Sequence, residues 1–322
     1  MSETVQHPAP AVPNAPSGPP ALARGVLNAL GDIKLAHSVF ALPFAVAGAF
    51  VVAAGPDGAV AWGRFAGQLA LVVVCMVFAR TWAMLINRLA DRVFDAQNPR
   101  TSSRAVASGR SSAGQAWLAA VAAAMGFFGA CALFYVFYGN AWPVLLSLPV
   151  LVWIGFYSYT KRFTALCHVF LGGALAVSPM AAGVAVGGME GFVEHWRALA
   201  ALASFVLLWV GGFDVAYALQ DLDFDRERGL HSIPAAFGWR GALWIARAMH
   251  ALALVALAFA PLSDARLSAL AWAGVVVTGA LLVYEHAVLH RRGLDGLPMA
   301  FFTVNGVVSV VLGLLLTVDT ML

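Results

Sequence analysis

Two groups of oxygen-bearing side chains recur at helical spacing in this sequence. Asn87, Asp91 and Asp95 follow one another every four residues, and Asp221 and Asp225 repeat that spacing 130 residues after Asp91 and Asp95. On an α-helix, side chains four residues apart share one face, so each group would present its oxygens together. Hard divalent cations such as Mg²⁺ typically bind one or two carboxylates together with phosphate oxygens. The two groups therefore indicate Mg²⁺ bound with a phosphate-bearing ligand.

Basic residues surround the first group, and an aromatic residue opens the second. Tyr217 takes the position in the second group that Asn87 takes in the first. Two such groups could hold two or more Mg²⁺ ions around a diphosphate, and arginines nearby would neutralise its remaining charge. An apolar tunnel beneath them would accept a lipid tail, so the pattern describes a site for a prenyl diphosphate. The arginines around the first group are Arg88, Arg92, Arg100 and Arg104.

The composition is that of a membrane protein. Of 322 residues, 61% are hydrophobic and 11% are charged, and the mean hydropathy is +0.82, outside the range of soluble domains. The net charge of +3 is too slight to indicate a nucleic-acid partner. Residues 1–28 are rich in proline and lack the pattern of a signal peptide, so we expect a disordered tail followed by one membrane domain over residues 29–322.

Long apolar runs predict nine transmembrane helices and an all-α fold. Each span needs roughly 20 apolar residues, and the runs lack the alternation of barrel strands. The expected spans are 33–54, 65–87, 113–137, 141–159, 164–187, 197–220, 240–260, 266–289 and 298–318.

The distribution of positive charge gives the orientation. With nine spans, 15 of the 19 Lys and Arg residues fall on the side of the N-terminus or at the helix ends next to it. The positive-inside rule assigns that side to the cytoplasm. Both acidic groups follow spans that end there, so we expect an inner-membrane protein with its N-terminus and active site on the cytoplasmic side.

The motifs resemble those of a known family. "NRLADRVFDAQNPRTSSR" resembles the NxxxDxxxD motif of the UbiA superfamily of membrane aromatic prenyltransferases, and "YALQDLDFDRERG" resembles its second, DxxxD motif. "YSYTKRF", residues 157–163, is similar to the element after the family's fourth helix. The resemblance extends from about residue 33 to 318. "IKLAHSVFALPFA" and "FFTVNGVVSV" resemble the 4-hydroxybenzoate polyprenyltransferase-like branch, which includes menaquinone enzymes of the futalosine type.

The resemblance implies a reaction and roles for the residues. Mg²⁺ would hold the diphosphate of a polyprenyl diphosphate while Arg92, Lys161 and Arg162 stabilise its developing charge. Asp91 and Asp221 are the expected catalytic residues, and Asp221 or a neighbour would withdraw the phenolic proton of an aromatic acid. The implied metal ligands are Asn87, Asp91, Asp95, Asp221 and Asp225.

Further basic and aromatic residues are expected to contact the substrates. Arg80 lies two turns before Asn87 inside a span, where a charge is costly without a function, and an arginine fork suits the carboxylate of an aromatic acid. Lys34 matches a basic position of the family. Arg104 falls in "RAVASG", where many relatives read Arg-Pro-Leu-Pro-Ser-Gly. The expected substrate-binding residues are Arg92, Tyr157, Lys161, Arg162, Arg80, Lys34, Arg104 and Tyr217.

Two alternatives remain from the sequence. The acceptor could be 1,4-dihydroxy-6-naphthoate rather than 4-hydroxybenzoate. A secondary transporter would also carry intramembrane acids and an internal repeat, although its sites usually lie near the midplane. Two predictions concern residues elsewhere: Glu285 and His286 are expected to be solvated at the interface, and Asn305 is expected to join helices within the membrane.

Overall fold

The computed structural model describes residues 21–33 and 40–322. Within those ranges the regular structure is helical, apart from one isolated bridge between Ala54 and Val60, so the all-α prediction is confirmed. The helices are α1 (Ala21–Gly31), α2 (Leu42–Ala53), α3 (Trp62–Gln97), α4 (Ala113–Tyr138), α5 (Trp142–Thr160), α6 (Cys167–Tyr217), α7 (Leu222–Glu227), α8 (Ile233–Ser263), α9 (Ala269–Arg292) and α10 (Asn305–Asp319). Short turns of 3₁₀-helix cover Ala218–Asp221 and Gly293–Gly296, and a π-helical turn, Pro298–Val304, precedes α10.

Among the described residues, seven helical runs are long and apolar enough to cross a membrane. One of them, Cys167–Glu227, contains a break at Gly188, where φ is 66°. Glycine adopts this left-handed conformation without steric cost, and the chain doubles back there, because His168 lies 2.6 Å from Asp214. This run therefore crosses twice. Together with the shorter apolar helix α2, the described helices agree with the nine predicted spans.

The two arms of α6, residues 167–187 and 189–217, form the centre of the bundle. Between helices in lipid, close van der Waals packing and hydrogen bonds replace the hydrophobic driving force. A Cβ atom on Gly172 would lie only 2.2 Å from the Leu207 carbonyl oxygen, so the arms approach as closely as glycine permits. Trp209 stacks on Phe205 with 5.6 Å between ring centroids. The ring of Phe44, on α2, also lies 5.6 Å from the Trp209 ring and is tilted against it.

A polar cluster lies inside this bundle and corrects one prediction. Asn305 joins helices as expected, because its Oδ1 accepts from Trp209 Nε1 at 2.6 Å. Glu285 is not solvated: it is 1% exposed and hydrogen-bonded to Asn305. His286 is half-buried and lies 3.0 Å from His250. The prediction was wrong because it considered the distance of residue 285 from the helix end, whereas α9 turns that face toward the bundle.

The segments that connect the helices on one side of the bundle gather around the ends of α3, α5 and α6. The His231 amide donates to the Lys161 carbonyl at 2.7 Å, which ties the segment after α7 to the end of α5. The break at Gly188 occupies a region predicted to be a loop from 188 to 196, and helix resumes directly after it. Residues 21–28, predicted as part of the tail, form most of α1. The remainder of that tail, residues 1–20, lies outside the described residues.

Candidate active site

The first acidic group lies on one face of an uninterrupted helix. Because α3 continues to Gln97, Asn87, Asp91 and Asp95 form a single stripe, as their spacing predicts. Asn87 Nδ2 donates to Asp91 Oδ2 at 3.0 Å, and Arg88 Nη1 donates to Asn87 Oδ1 at 2.7 Å. Asp91 and Asp95 are both buried. Buried carboxylates need positive partners close by.

Arginines from two other segments supply that charge. Arg162, just after α5, donates from Nη2 to Asp91 Oδ1 at 3.0 Å and to the Ala90 carbonyl at 2.7 Å. Arg104, in the loop after α3, donates from Nη1 to both carboxylate oxygens of Asp95, at 2.7 and 2.8 Å. Charge-assisted hydrogen bonds of this kind are the strong ones in proteins. The two carboxylates of the first group are thus bound by arginines from two different segments, one after α3 and one after α5.

The second acidic group lies where the helix changes pitch. Asp221 is the last residue of the 3₁₀ turn that separates α6 from α7, and Asp225 lies in α7. Arg100 binds Asp221 as a fork, with Nε 3.0 Å from one oxygen and Nη2 hydrogen-bonded to the other. Asn98 Nδ2 donates to the same carboxylate at 2.9 Å. The loop after α3 therefore contacts both acidic groups.

The guanidinium of Arg100 is also close to an aromatic ring. It lies 5.5 Å from the centroid of the Tyr217 ring, and Nη1 is 3.4 Å from the Tyr217 hydroxyl. Burial alone would lower the pKa of Arg100, but its hydrogen bonds to Asp221 and the nearby negative charge raise that pKa above its ordinary value. Arg100 therefore carries a fixed positive charge between the two groups.

Lys161 acts on both acidic groups. It is the first residue after α5, is half-buried, and lies close enough to Asp91 and Asp225 to attract both carboxylates. Opposite charges attract more strongly where water is partly excluded. One cation therefore acts on both acidic groups, and the loop after α3 binds Asp95 and Asp221 directly, so the two groups belong to one site.

An apolar cavity of about 560 Å³ begins beside this site, between α3, α4, α5 and the first arm of α6. Arg80 and Tyr157 line it at the end nearest the acidic groups, and both lie within electrostatic reach of Arg88. From Val72 to Met84, the lining positions on α3 extend roughly 18 Å at 1.5 Å per residue. The cavity is deep enough for an extended apolar chain whose polar end remains at the site.

The oxygen atoms suit a hard divalent cation that arrives with phosphate oxygens. Carboxylate and amide oxygens are the ligands such ions prefer. Asp225 Oδ1 is buried, and no described residue donates a hydrogen bond to it. In the part of the chain that the structure describes, no three His, Cys, Asp or Glu side chains lie close enough to form a complete metal site. The residues therefore fit Mg²⁺ bound jointly by protein and phosphate.

Two predicted residues are not part of this arrangement. Arg92 is exposed and donates from Nη1 to the Leu89 carbonyl at 2.9 Å, because it follows Asp91 by about 100° around α3. Lys34 lies outside the described residues. The other predicted site residues lie together at the site or line the adjoining cavity. They are Asn87, Asp91, Asp95, Arg104, Tyr157, Lys161, Arg162, Tyr217, Asp221, Asp225 and Arg80.

The structure adds three residues that were not among the predicted site residues, although Arg88 and Arg100 were among the arginines expected to neutralise the diphosphate. Asn98 and Arg100 bind Asp221, and Arg88 binds Asn87. The signal available in the sequence was only that basic residues flank the first group. Which of them turn toward the second group depends on the course of the loop after α3, and spacing alone does not determine that course.

Carboxylates held by arginines over an apolar cavity suit an amphiphile with an anionic head, the kind of ligand that a membrane transferase of isoprenoid diphosphates must hold. The comparison with family models agrees: the model of the UbiA prenyltransferase family matches residues 41–307. The chain belongs to that family. It is a multi-pass membrane protein, and its helices over residues 21–33 and 40–322 agree with the nine spans that the resemblance implied.

Individual relatives are similar over most of the chain. A 4-hydroxybenzoate octaprenyltransferase of Chromohalobacter salexigens is 31% identical over 235 residues, which cover 73% of this chain and 75% of the relative. One of Xanthomonas oryzae is 35% identical over 215 residues, 66% of this chain and 67% of the relative. The solved apo structure of a UbiA homologue from Aeropyrum pernix superposes with a TM-score of 0.76 at 31% identity, over 89% of this chain and 98% of that one.

A more distant structure shares the fold. A UbiA homologue from Archaeoglobus fulgidus, solved with DMAPP and Mg²⁺ bound, has a TM-score of 0.63 at 20% identity. The match covers 92% of this chain and 99% of that one. At this identity, the similarity supports the helical architecture.

Proposed function

We propose that this chain is a Mg²⁺-dependent aromatic polyprenyltransferase. It transfers a polyprenyl group from polyprenyl diphosphate to a hydroxylated aromatic acid in the biosynthesis of ubiquinone or menaquinone. The family, the names of the relatives and the Mg²⁺ and DMAPP of the Archaeoglobus fulgidus homologue support this reaction. The observation that carries it is the meeting of two acidic groups, with their arginines and Lys161, at the end of an apolar cavity.

The head of the polyprenyl diphosphate would bind between the acidic groups. When bound, Mg²⁺ supplies positive charge to the diphosphate leaving group. Lys161 and Arg162 stand beside that position, and Arg100 and Arg104 can exchange carboxylate oxygens for phosphate oxygens, since a guanidinium matches both. The residues proposed to hold Mg²⁺ are Asn87, Asp91, Asp95, Asp221 and Asp225.

The polyprenyl chain would lie in the apolar cavity, which keeps water from the allylic carbon as its bond to oxygen breaks. A ring carbon ortho to the acceptor's hydroxyl then forms the new C–C bond. The C–H bond at that carbon breaks as the ring becomes aromatic again, and the phenolic oxygen regains a proton, so that one proton leaves the acceptor overall. Asp221 is proposed to take the phenolic proton, with Asp91 as the second catalytic residue. Arg80 would bind the acceptor's carboxylate at the boundary between cavity and site. 4-Hydroxybenzoate is the simplest acceptor of this kind.

Prenyl transfer by purified protein in lipid tests this function. Labelled polyprenyl diphosphate, Mg²⁺ and a panel containing 4-hydroxybenzoate and 1,4-dihydroxy-6-naphthoate should give one prenylated aromatic acid and an equal amount of diphosphate. Chelation of Mg²⁺ should stop both. Uptake of a labelled compound into sealed vesicles without release of diphosphate would instead indicate a transporter. Preference for the naphthoate would keep the chemistry and change the acceptor.

The site is proposed to face the cytoplasm from the inner membrane, with α1 and the spanning helices together as one catalytic domain. The excess of Lys and Arg on the side of the acidic groups supports this orientation. A reporter fused after Arg110 or after Arg240 should be cytoplasmic, whereas one fused at Glu190, next to the Gly188 break, should not. The same compartment for all three fusions would contradict the nine-span topology.

A further inference from the structure

Helix α1 leaves three leucines exposed beside the side that packs on the bundle, to which Val26 belongs. At about 100° per residue, Leu22, Leu27 and Leu30 fall within an arc of about 140°, and Arg24 and Asn28 lie opposite that arc. The three leucines are 57%, 58% and 37% exposed. A strongly amphipathic helix with a charged or polar second face is typical of segments that lie in a membrane interface.

The remaining face of α1 is fixed to the ends of two spanning helices. Ala29 and the following Ile33 pack in one cluster with Leu89 of α3 and Ala116 of α4. Gln115, in the first turn of α4, donates from Nε2 to the Ala21 carbonyl at 3.1 Å. These contacts hold α1 at the level where α4 begins, on the same side of the bundle as the acidic groups.

The helix on which α1 packs carries an exposed apolar surface of its own. Trp117, Leu118 and Val121, in the first turns of the spanning helix α4, are 45%, 50% and 50% exposed. They follow directly on the positions of α4 that contact α1. A spanning helix must present apolar side chains to the hydrocarbon at this depth. The exposed leucines of α1 are therefore held next to a part of α4 that a membrane would cover.

The end of α1 also holds the loop that carries the site's arginines. Asp32 accepts a hydrogen bond from the buried amide of Ala105, the residue after Arg104, and lies 3.7 Å from Arg110. Asn28 Nδ2 donates to the Arg110 carbonyl at 2.9 Å. Residues 98–110 of this loop bind Asp95 and Asp221. The contacts thus run from α1 through the loop to both acidic groups.

We propose that α1 is an interfacial anchor: its leucines lie in the lipid interface on the side of the acidic groups, and Asp32 fastens the arginine loop over the site. The docking of α1 on lipid is independent of the proposed function. The consequence for diphosphate binding rests on that function, so the two are tested separately.

Photocrosslinking identifies what covers the leucines. The full chain in phospholipid vesicles would carry photoreactive p-benzoylphenylalanine in place of Leu22 or Leu27, with Arg24 as the matched position on the polar face. We expect phospholipid adducts, identified by mass, at both leucine positions and several times less at Arg24. Adducts mainly to a second copy of the chain or to the chain itself, or equal lipid adducts at all three positions, would overturn the proposal.

Hydrogen–deuterium exchange tests the link to the loop without measuring activity. Replacing both leucines by aspartate (Leu22→Asp with Leu27→Asp) should speed amide exchange over residues 98–111, whereas Arg24→Gln should not. Asp32→Ala should have the same effect, and Asp32→Asn, which keeps an oxygen for the Ala105 amide, should largely restore protection. Unchanged exchange in the leucine and Asp32→Ala variants, with the fold intact by size-exclusion chromatography, would show that α1 does not hold the loop.

If the unmodified chain transfers prenyl groups, the Asp32 variants distinguish a positioning role of Asp32 from a general loss of structure. Asp32→Ala should raise the KM for polyprenyl diphosphate while leaving the KM for the aromatic acid nearly unchanged, and Asp32→Asn should reverse the rise. A parallel loss for both substrates would contradict a role through the arginine loop. Absence of transfer by the unmodified chain would count against the proposed function only, because the crosslinking and exchange results stand without it.

Discussion

The two acidic groups repeat in sequence but differ in construction. Asn87, Asp91 and Asp95 lie on one straight helix, and both carboxylates are buried against neighbouring helices. The second group passes through a 3₁₀ turn between α6 and α7, so that Asp221 and Asp225 do not share one continuous helical face. One half of the site lies on an uninterrupted helix, and the other lies where the helix is broken.

The arginines that bind the two groups also differ in their geometry. Arg104 touches Asp95 through a single nitrogen, whereas Arg100 grips Asp221 with a fork and stands over a tyrosine ring. A helix break leaves backbone groups free to shift, and a forked arginine restricts the carboxylate it holds. The comparison indicates that the first group provides a fixed platform and that Arg100 sets the geometry of the second.

Removing one carboxylate from each group should have the largest effect. Asp91→Ala and Asp221→Ala should each lower prenyl transfer by about 100-fold or more, because each removes a proposed Mg²⁺ ligand and leaves the charge on the diphosphate undercompensated. Initial rates at limiting Mg²⁺ measure this effect. Asp223, which is exposed in α7, offers the matched control: Asp223→Ala should retain most of the activity.

The outcome also bears on the comparison itself. If both groups bind metal, raising the Mg²⁺ concentration should recover part of the lost rate in both variants. Recovery in Asp91→Ala alone would assign the metal to the first group and leave the second group with the proton transfer. Near-normal turnover of either variant would remove that carboxylate from the site.

Lysine substitutions of the two loop arginines should change the KM for polyprenyl diphosphate by factors that differ at least about 3-fold. Arg100→Lys loses a fork that a lysine cannot reproduce, and should raise the KM for polyprenyl diphosphate about 10-fold, since one hydrogen bond to a charged group is worth about 1.5–3 kcal/mol. Arg104→Lys keeps a single-nitrogen contact and should raise it less than about 3-fold. Equal effects, measured by initial rates at saturating acceptor, would mean that the forked geometry has no special role.

The sequence predicted the elements whose chemistry is local. Four-residue spacing placed Asn87, Asp91 and Asp95 on one face of α3, and apolar runs predicted nine spans, because helical periodicity and membrane thickness act over short stretches. The membership of Lys161 and Arg162 in the site came from a resemblance to a family motif rather than from spacing.

Features that depend on tertiary packing were not predictable. Glu285 was assigned to solvent although its helix face turns inward, and Arg100 was not assigned to Asp221 because nothing in the spacing gives the path of a loop. Residues 188–196 were expected to form a loop, but the chain reverses at Gly188 alone. A single residue can do this only in a left-handed conformation, which glycine adopts without steric cost, and the apolar pattern does not reveal that conformation. Arg92 lies one position off the stripe, and that offset decides its exposure.

Arg80 should distinguish the substrates by a smaller factor. It lines the cavity below the first group, near Tyr157. If it holds the acceptor's carboxylate, Arg80→Lys should raise the KM for the aromatic acid about 5-fold with little change for the diphosphate, because a lysine loses one of two parallel hydrogen bonds. A rise for the diphosphate alone would move Arg80 to the leaving group and leave the acceptor's binding site undetermined.

The smallest expected effect concerns the residue that differs most between the groups. Tyr217 occupies the register position of Asn87, but its ring packs 4.1 Å from that of Phe301, and its hydroxyl is a long 3.4 Å from Arg100 Nη1. Tyr217→Phe keeps the ring contact and removes only that weak hydrogen bond, so kcat/KM for either substrate should change less than about 3-fold. Asn87→Ala, at the equivalent position, removes the amide that contacts both Asp91 and Arg88 and should cost about tenfold or more. If Tyr217→Phe costs as much as Asn87→Ala, the hydroxyl takes part in the reaction, and the two groups are more alike in function than their partners indicate.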